Sequence, residues 1–115
     1  MEKPWGWEMI WAQNDKYVGK ILYIKAGHRL SRQYHQAKDE TIYVQSGHLH
    51  LEIGEGEIEI KILGPGSSFH IRPGLVHRFA APKFRMPVTL FEVSTPELSD
   101  VIRLEDDYGR LDSSE

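Results

Sequence analysis

Cysteine is absent from the 115-residue chain. That excludes disulfides and thiolate metal sites, so any bound metal must take imidazole, carboxylate or amide donors. The chain also lacks an apolar run of the roughly 18 residues a membrane span needs, and its opening Met1-Glu2-Lys3-Pro4-Trp5 does not resemble a secretory leader. A cytoplasmic protein is therefore expected. There is no excess of basic residues: 14 Lys and Arg against 17 Asp and Glu give a net charge of -3. Neither nucleic acid nor an anionic membrane is expected as a partner, since both call for a basic face. The length favours one domain covering residues 1–115, and 40% hydrophobic with 27% charged residues is ordinary globular usage.

Glycine and proline fall at short intervals, among them Gly47, Gly54, Gly56, Gly64-Pro65-Gly66, Pro73-Gly74, Pro82 and Pro87, which leaves room for strands and little for helices. Between them the apolar residues alternate. Leu49, Leu51 and Ile53 alternate with His48, His50 and Glu52, then Ile58, Ile60 and Ile62 with Glu57, Glu59 and Lys61. This period of two predicts strands buried on one face, with residues 48–63 forming a hairpin through Gly54-Glu55-Gly56. Further strands are expected over 5–12, 17–26, 29–35, 40–46, 67–72, 75–80 and 87–95, about nine in all. An all-β antiparallel sandwich or jelly-roll barrel is the fold expected. Residues 97–115, rich in Asp and Glu, read as an acidic C-terminal tail or strap.

Six histidines in a cysteine-free chain prompt a search for metal ligands. His48 and His50 share a strand face with Glu52 and read as solvated, while His28 and His70 read as surface or hydrogen-bonded groups. The stretch from Gly27 to Gly47 is richer. Gln33 and His35 lie two apart on one strand face, and Glu40 opens the next strand after a four-residue turn, an arrangement expected to be a hairpin. With His77 from Pro73-Gly74-Leu75-Val76-His77, the set Gln33, His35, Glu40 and His77 forms a nitrogen and oxygen site. Such a set suits Zn²⁺, Mn²⁺, Co²⁺ or Fe²⁺ without choosing among them.

These residues resemble the cupin superfamily, whose motifs read G-x5-H-x-H-x3-4-E-x6-G and G-x5-P-x-G-x2-H-x3-N. Gly27, His35, Glu40, Gly47, Gly66, Gly74 and His77 match, whereas Gln33, Arg72 and Ala81 depart from the pattern. Gln33 in place of histidine is similar to metal-dependent mannose-6-phosphate isomerases, with a Gln, His, Glu, His zinc set. The whole chain resembles the isomerase domain that ends bifunctional mannose-1-phosphate guanylyltransferase/mannose-6-phosphate isomerases. The likeness rests on Lys3-Pro4-Trp5-Gly6, Ser31-Arg32-Gln33-Tyr34-His35 and the stretch from Asp100 to Arg110. It departs at Lys38, where that family usually carries Arg, and at Thr41-Ile42. The resemblance implies a small double-stranded β-helix barrel, zinc as first choice of metal, and interconversion of mannose 6-phosphate and fructose 6-phosphate through an enediolate. No Gly-rich sugar-nucleotide signature is present, so guanylyltransferase activity is not expected.

Such an isomerase needs a proton carrier and a phosphate grip. Lys38, beside the metal turn, ranks first as base, ahead of Glu52, His28 and His70. Arg110 and Arg103 lead as phosphate ligands because they lie in the tail that carries the resemblance, and Arg110 is also a catalytic candidate; Arg29, Arg72 and Arg78 follow. The aromatic residues are expected to fill the barrel and a subunit interface, and the resemblance implies a homodimer. Two alternatives have different signatures. An iron or manganese dioxygenase would consume oxygen, and a non-catalytic carbohydrate-binding module would bind sugar phosphate without turnover.

Overall fold

The computed structural model describes residues 1–111, so the last four positions of the acidic tail lie outside the described residues. Eleven strands and no helix are found among them: β1 (Glu2–Lys3), β2 (Gly6–Gln13), β3 (Val18–Ile24), β4 (Arg32–Tyr34), β5 (Glu40–Ser46), β6 (Leu49–Ile53), β7 (Glu59–Leu63), β8 (Ser68–Ile71), β9 (His77–Ala80), β10 (Val88–Ser94) and β11 (Ile102–Glu105). They form two antiparallel sheets, one ordered β1-β2-β3-β10-β5-β8 and the other β11-β4-β9-β6-β7. Trp5, Leu22, Ile24, Ile42, Val44, Leu49, Leu51, Ile71, Phe79, Val88 and Leu90 interdigitate between them. The core forms because each strand alternates: along β10, Val88, Leu90, Glu92 and Ser94 turn inward while Phe91 and Val93 face out.

Two expectations need correction. Ile58, Ile60 and Ile62 are not buried; they are 41%, 56% and 63% exposed. The cause is register. β6 and β7 pair as Leu49↔Leu63, Leu51↔Lys61 and Ile53↔Glu59, so the connection runs over residues 54–58. Pairing Ile53 with Ile58 would need a loop one residue shorter, and a slip of one residue turns every side chain to the opposite face. Lys61 and Glu59 consequently take the inward parity, where they form a 3.2 Å ion pair. The second correction concerns residues 33–40. β4 and β5 belong to different sheets, so the turn between them is a crossover at the barrel rim and not a hairpin.

The segment after Pro96 adds β11 to the edge of the smaller sheet, pairing Ile102↔Tyr34 and Arg103↔Gln33. Beyond a register shift, Glu105 meets Arg32 at 3.0 Å and Arg78 at 3.3 Å, while Asp107 binds Arg29 at 2.7 Å and Arg78 at 3.0 Å. Buried Arg78 is further anchored by donating to the Leu30 carbonyl at 2.8 Å.

Candidate metal centre

His35 follows β4, Glu40 opens β5 and His77 opens β9. Three strand ends from both sheets thus converge at one rim. One donor atom from each residue lies within 4.8 Å of the others, and all three side chains are buried. The imidazoles are oriented from behind. His35 Nδ1 lies 2.6 Å from the Asp100 carbonyl and His77 Nδ1 lies 2.9 Å from the Leu75 carbonyl. A carbonyl can only accept, so each Nδ1 carries a proton and each ring turns its Nε2 toward Glu40, where loss of any second proton frees a lone pair for a metal. His35 Nε2 and Glu40 Oε1 are 3.1 Å apart, yet neither atom, nor His77 Nε2, makes an aligned hydrogen bond. Three buried, unsatisfied donors aimed at a common point are costly in an empty core and suit a divalent cation.

The electrostatics agree. Burial pushes the His77 imidazolium down and keeps the ring in its neutral, ligand-competent form, against the pull of Glu40. Burial pushes the Glu40 carboxyl up, but His35, the Lys38 ammonium and His77 outweigh it, holding Glu40 well below the usual carboxylate range. Glu40 is therefore an anion ready to coordinate.

Gln33 is the Cα partner of His77 and, with His35 and Glu40, lines a cavity between the two sheets. Its Oε1 accepts from Ser31 Oγ at 2.5 Å, an interaction that leaves the oxygen a second lone pair. Lys38 is not a solvated turn residue: it is 5% exposed, with its ammonium 3.2 Å from Glu40 and 3.4 Å from Glu92. Burial lowers the pKa of that amine, but Glu92 and Glu40 outweigh it and hold Lys38 above its ordinary value. As placed between Glu40 and Glu92, Lys38 is a cationic hydrogen-bond donor. Arg103 and Arg110 line the same cavity. The Arg110 guanidinium is braced by Asp106 at 2.9 Å through both Nε and Nη2 and lies over the Tyr108 ring, 5.6 Å from its centroid.

Other candidates lie elsewhere. Glu52 is committed to Arg32 at 2.5 Å, His70 to Asp39 at 2.6 Å, and His28 stacks on Tyr108. Arg29 and Arg78 hold Asp107, and Arg72 is exposed. Two residues escaped the sequence reading. Asp100 accepts backbone N–H bonds from Gln36, Ala37 and Lys38 at 3.0, 2.7 and 2.9 Å and so fixes the turn between the ligands; only the run of three donors, invisible in sequence, marks it. Glu92 sits 4% exposed in the cavity wall, and its parity with Val88 and Leu90 was the signal available.

Fold and site together define a small antiparallel β-barrel with a buried His, Glu, His group able to hold a metal ion. The cupin domain pattern matches residues 20–94, and the chain belongs to that family. It is 34% identical over 112 residues to mannose-1-phosphate guanylyltransferase ManC of Salmonella typhimurium, covering 95% of this chain but 22% of that protein. The chain thus spans about a fifth of the length of the curated relatives it matches. Among solved structures, a conserved double-stranded β-helix protein of Klebsiella pneumoniae superposes with a TM-score of 0.73 at 20% identity, covering 84% of this chain and 82% of that one. A cupin-superfamily sugar phosphate isomerase from Silicibacter pomeroyi superposes with a TM-score of 0.61 at 24% identity, covering 70% and 50%. Both structural likenesses concern the fold. No helix of the described residues is long and apolar enough to cross a membrane.

Proposed function

We propose that the protein is a metal-dependent sugar-phosphate isomerase interconverting mannose 6-phosphate and fructose 6-phosphate. The observation that carries this reading is one cavity lined by the His35 and Glu40 ligands together with Gln33, Lys38, Arg103 and Arg110. A divalent ion, zinc by preference, would supply Lewis-acid stabilisation of negative charge developing on sugar oxygens. Gln33, His35, Glu40 and His77 would hold it. Arg103 and Arg110 would take the phosphate, the latter with its guanidinium plane already braced by Asp106. Lys38, held as an ammonium, would donate to a sugar oxygen and orient the substrate. The similarity to mannose-1-phosphate guanylyltransferase ManC supports a sugar-phosphate substrate.

The test is metal content of the purified protein combined with a coupled assay for fructose 6-phosphate after reconstitution with Zn²⁺, Co²⁺ or Mn²⁺. One bound metal with turnover is the expected result. Metal without turnover on mannose 6-phosphate overturns the isomerase reading, and oxygen consumption with bound iron would replace it by a dioxygenase.

The partner proposed for the outer face of the six-stranded sheet is a second copy of the chain. Met9, Ile21, Phe91 and Tyr43 form one row across β2, β3, β10 and β5, with Phe91 stacked on Tyr43 and Trp7 on Tyr23. Trp11 covers Gly19, beside Val93. Met9, Trp11, Tyr43, Phe91 and Val93 are 48%, 57%, 45%, 38% and 51% exposed. Taking roughly 150–250 Å² for a full large side chain, they offer on the order of 500 Å² of apolar surface, most of the ~800 Å² per partner of a stable interface. None of these nine residues is charged, so a two-fold pairing of this patch with itself sets no like charges within it against each other.

A further inference from the structure

Isomerisation of an aldose requires a group that takes a proton from one carbon and returns it to the next. Three carboxylates line the cavity: Glu8, Glu40 and Glu92. Glu8 is paired with Lys20 at 3.3 Å, and Glu40 belongs to the metal group. Glu92 is different. Its position on β10 points it inward opposite Lys20 of β3 and Ile42 of β5, and its carboxylate is buried at 4% exposure. One oxygen, Oε2, makes no hydrogen bond although Lys38 Nζ stands 3.4 Å away. A buried carboxylate oxygen without a hydrogen bond, at the wall of the cavity that His35 and Glu40 also line, is a proton acceptor open to a substrate.

From this geometry we infer that Glu92, and not Lys38, carries the proton between C1 and C2, an inference that rests on the isomerase reading above. Glu92 Oε2 takes the proton from C2 of the aldose. The C–H electron pair forms the C1–C2 double bond, and the carbonyl pair moves onto O1. A proton passes from O2 to O1, Glu92 returns its proton to C1, and the C2–O2 carbonyl forms, giving the ketose with no net change of oxidation state. The setting suits the role. Burial, aided by Glu40, raises the Glu92 carboxyl above the ordinary range against the pull of Lys38 and Lys20, and a base works best when its pKa approaches the working pH.

The experiment uses the full chain reconstituted with zinc, with mannose 6-phosphate in D₂O, scoring turnover and deuterium entry into the sugar by NMR. Glu92→Gln is expected to lower kcat and deuterium exchange together by about 100-fold or more, the ordinary contribution of a general base. Metal content, melting temperature and KM should stay near wild type. Glu92→Asp should recover part of kcat, and the acidic limb of the kcat profile should vanish from the residual activity of Glu92→Gln. Retention of kcat and exchange by Glu92→Gln, beside an active wild type, overturns the assignment. So does loss of bound zinc in that variant, which would make Glu92 structural. If Glu92→Gln fails to fold, Glu92→Asp decides: reduced kcat at normal KM and metal content supports the role, unchanged kcat refutes it. A zinc-loaded wild type with neither turnover nor exchange removes the isomerase reading itself, and this inference with it.

Discussion

Each residue of the candidate metal group in the barrel rim is positioned by a second residue behind it. His35 is aimed by the Asp100 carbonyl, and the turn leading to Glu40 is stapled by the Asp100 carboxylate. Asp100→Ala keeps the backbone carbonyl behind His35 but removes the carboxylate that staples the turn leading to Glu40, and is expected to weaken zinc affinity by about 10-fold, the lower end of the cost of losing an outer-shell contact, while the fold persists; competition with a chromogenic chelator measures it. Glu40→Gln and His77→Ala should abolish stoichiometric metal in elemental analysis, whereas His48→Ala and His50→Ala should bind as wild type does. That His35, Glu40 and His77 come together was legible in sequence because motif spacing fixes which strand ends they occupy. Asp100 was not, since its importance lies in a contact 62 to 64 residues away in the chain. Glu92 was missed because a charged residue in an alternating strand reads as solvated until its parity is compared with Val88 and Leu90.

At the level of elements, the C-terminal strand and its flanks hold the rim closed through carboxylates. Burial pushes the Asp100 carboxyl up, but three backbone N–H groups outweigh it and hold Asp100 below its ordinary value. Asp106 is likewise lowered, Arg110 outweighing burial, and Asp107 is lowered chiefly by its hydrogen bond to Arg29. A depressed folded-state pKa means the unfolded chain binds protons first. The stabilisation is therefore complete above the ordinary Asp value of about 3.9 and drains away as pH falls through the lower folded values. The melting temperature of metal-free protein should accordingly be insensitive to these groups above pH ~5 and fall steeply below pH ~4. Hydrogen exchange should show residues 97–111 opening first, and a melting temperature indifferent to acid would refute the account. Strand identity was largely readable from period-two alternation, as β5, β6 and β10 show. The facing of β7 was not, because a loop of 54–58 in place of one residue fewer is a difference of register that composition does not record.

For the whole molecule, the uncharged apolar patch across β2, β3, β10 and β5 predicts a two-fold dimer. Light scattering coupled to gel filtration should give twice 13.3 kDa for the wild type, and Trp11→Lys or Phe91→Glu should shift it to the single-chain mass without loss of bound metal. A monomeric wild type at micromolar concentration would remove the second copy as occupant of that face. The sequence divides its aromatic residues between barrel and interface only in general terms, and which rings lie inside could be settled only by topology: Trp5 and Phe79 are buried, while Trp11, Tyr43 and Phe91 look outward.

The reversed facing of β7 also bears on how the protein behaves at high concentration. β7 ends the smaller sheet, so one side of its backbone is open to pairing with a foreign strand, and Ile58, Ile60 and Ile62 would favour it. Glu59 and Lys61, turned toward the barrel side, oppose flat stacking, since an incoming strand would trap their charges. Replacing both with valine should leave the monomer's core intact yet convert a clear solution into one that scatters light and binds thioflavin T, an outcome governed by colloidal behaviour and not by folding free energy.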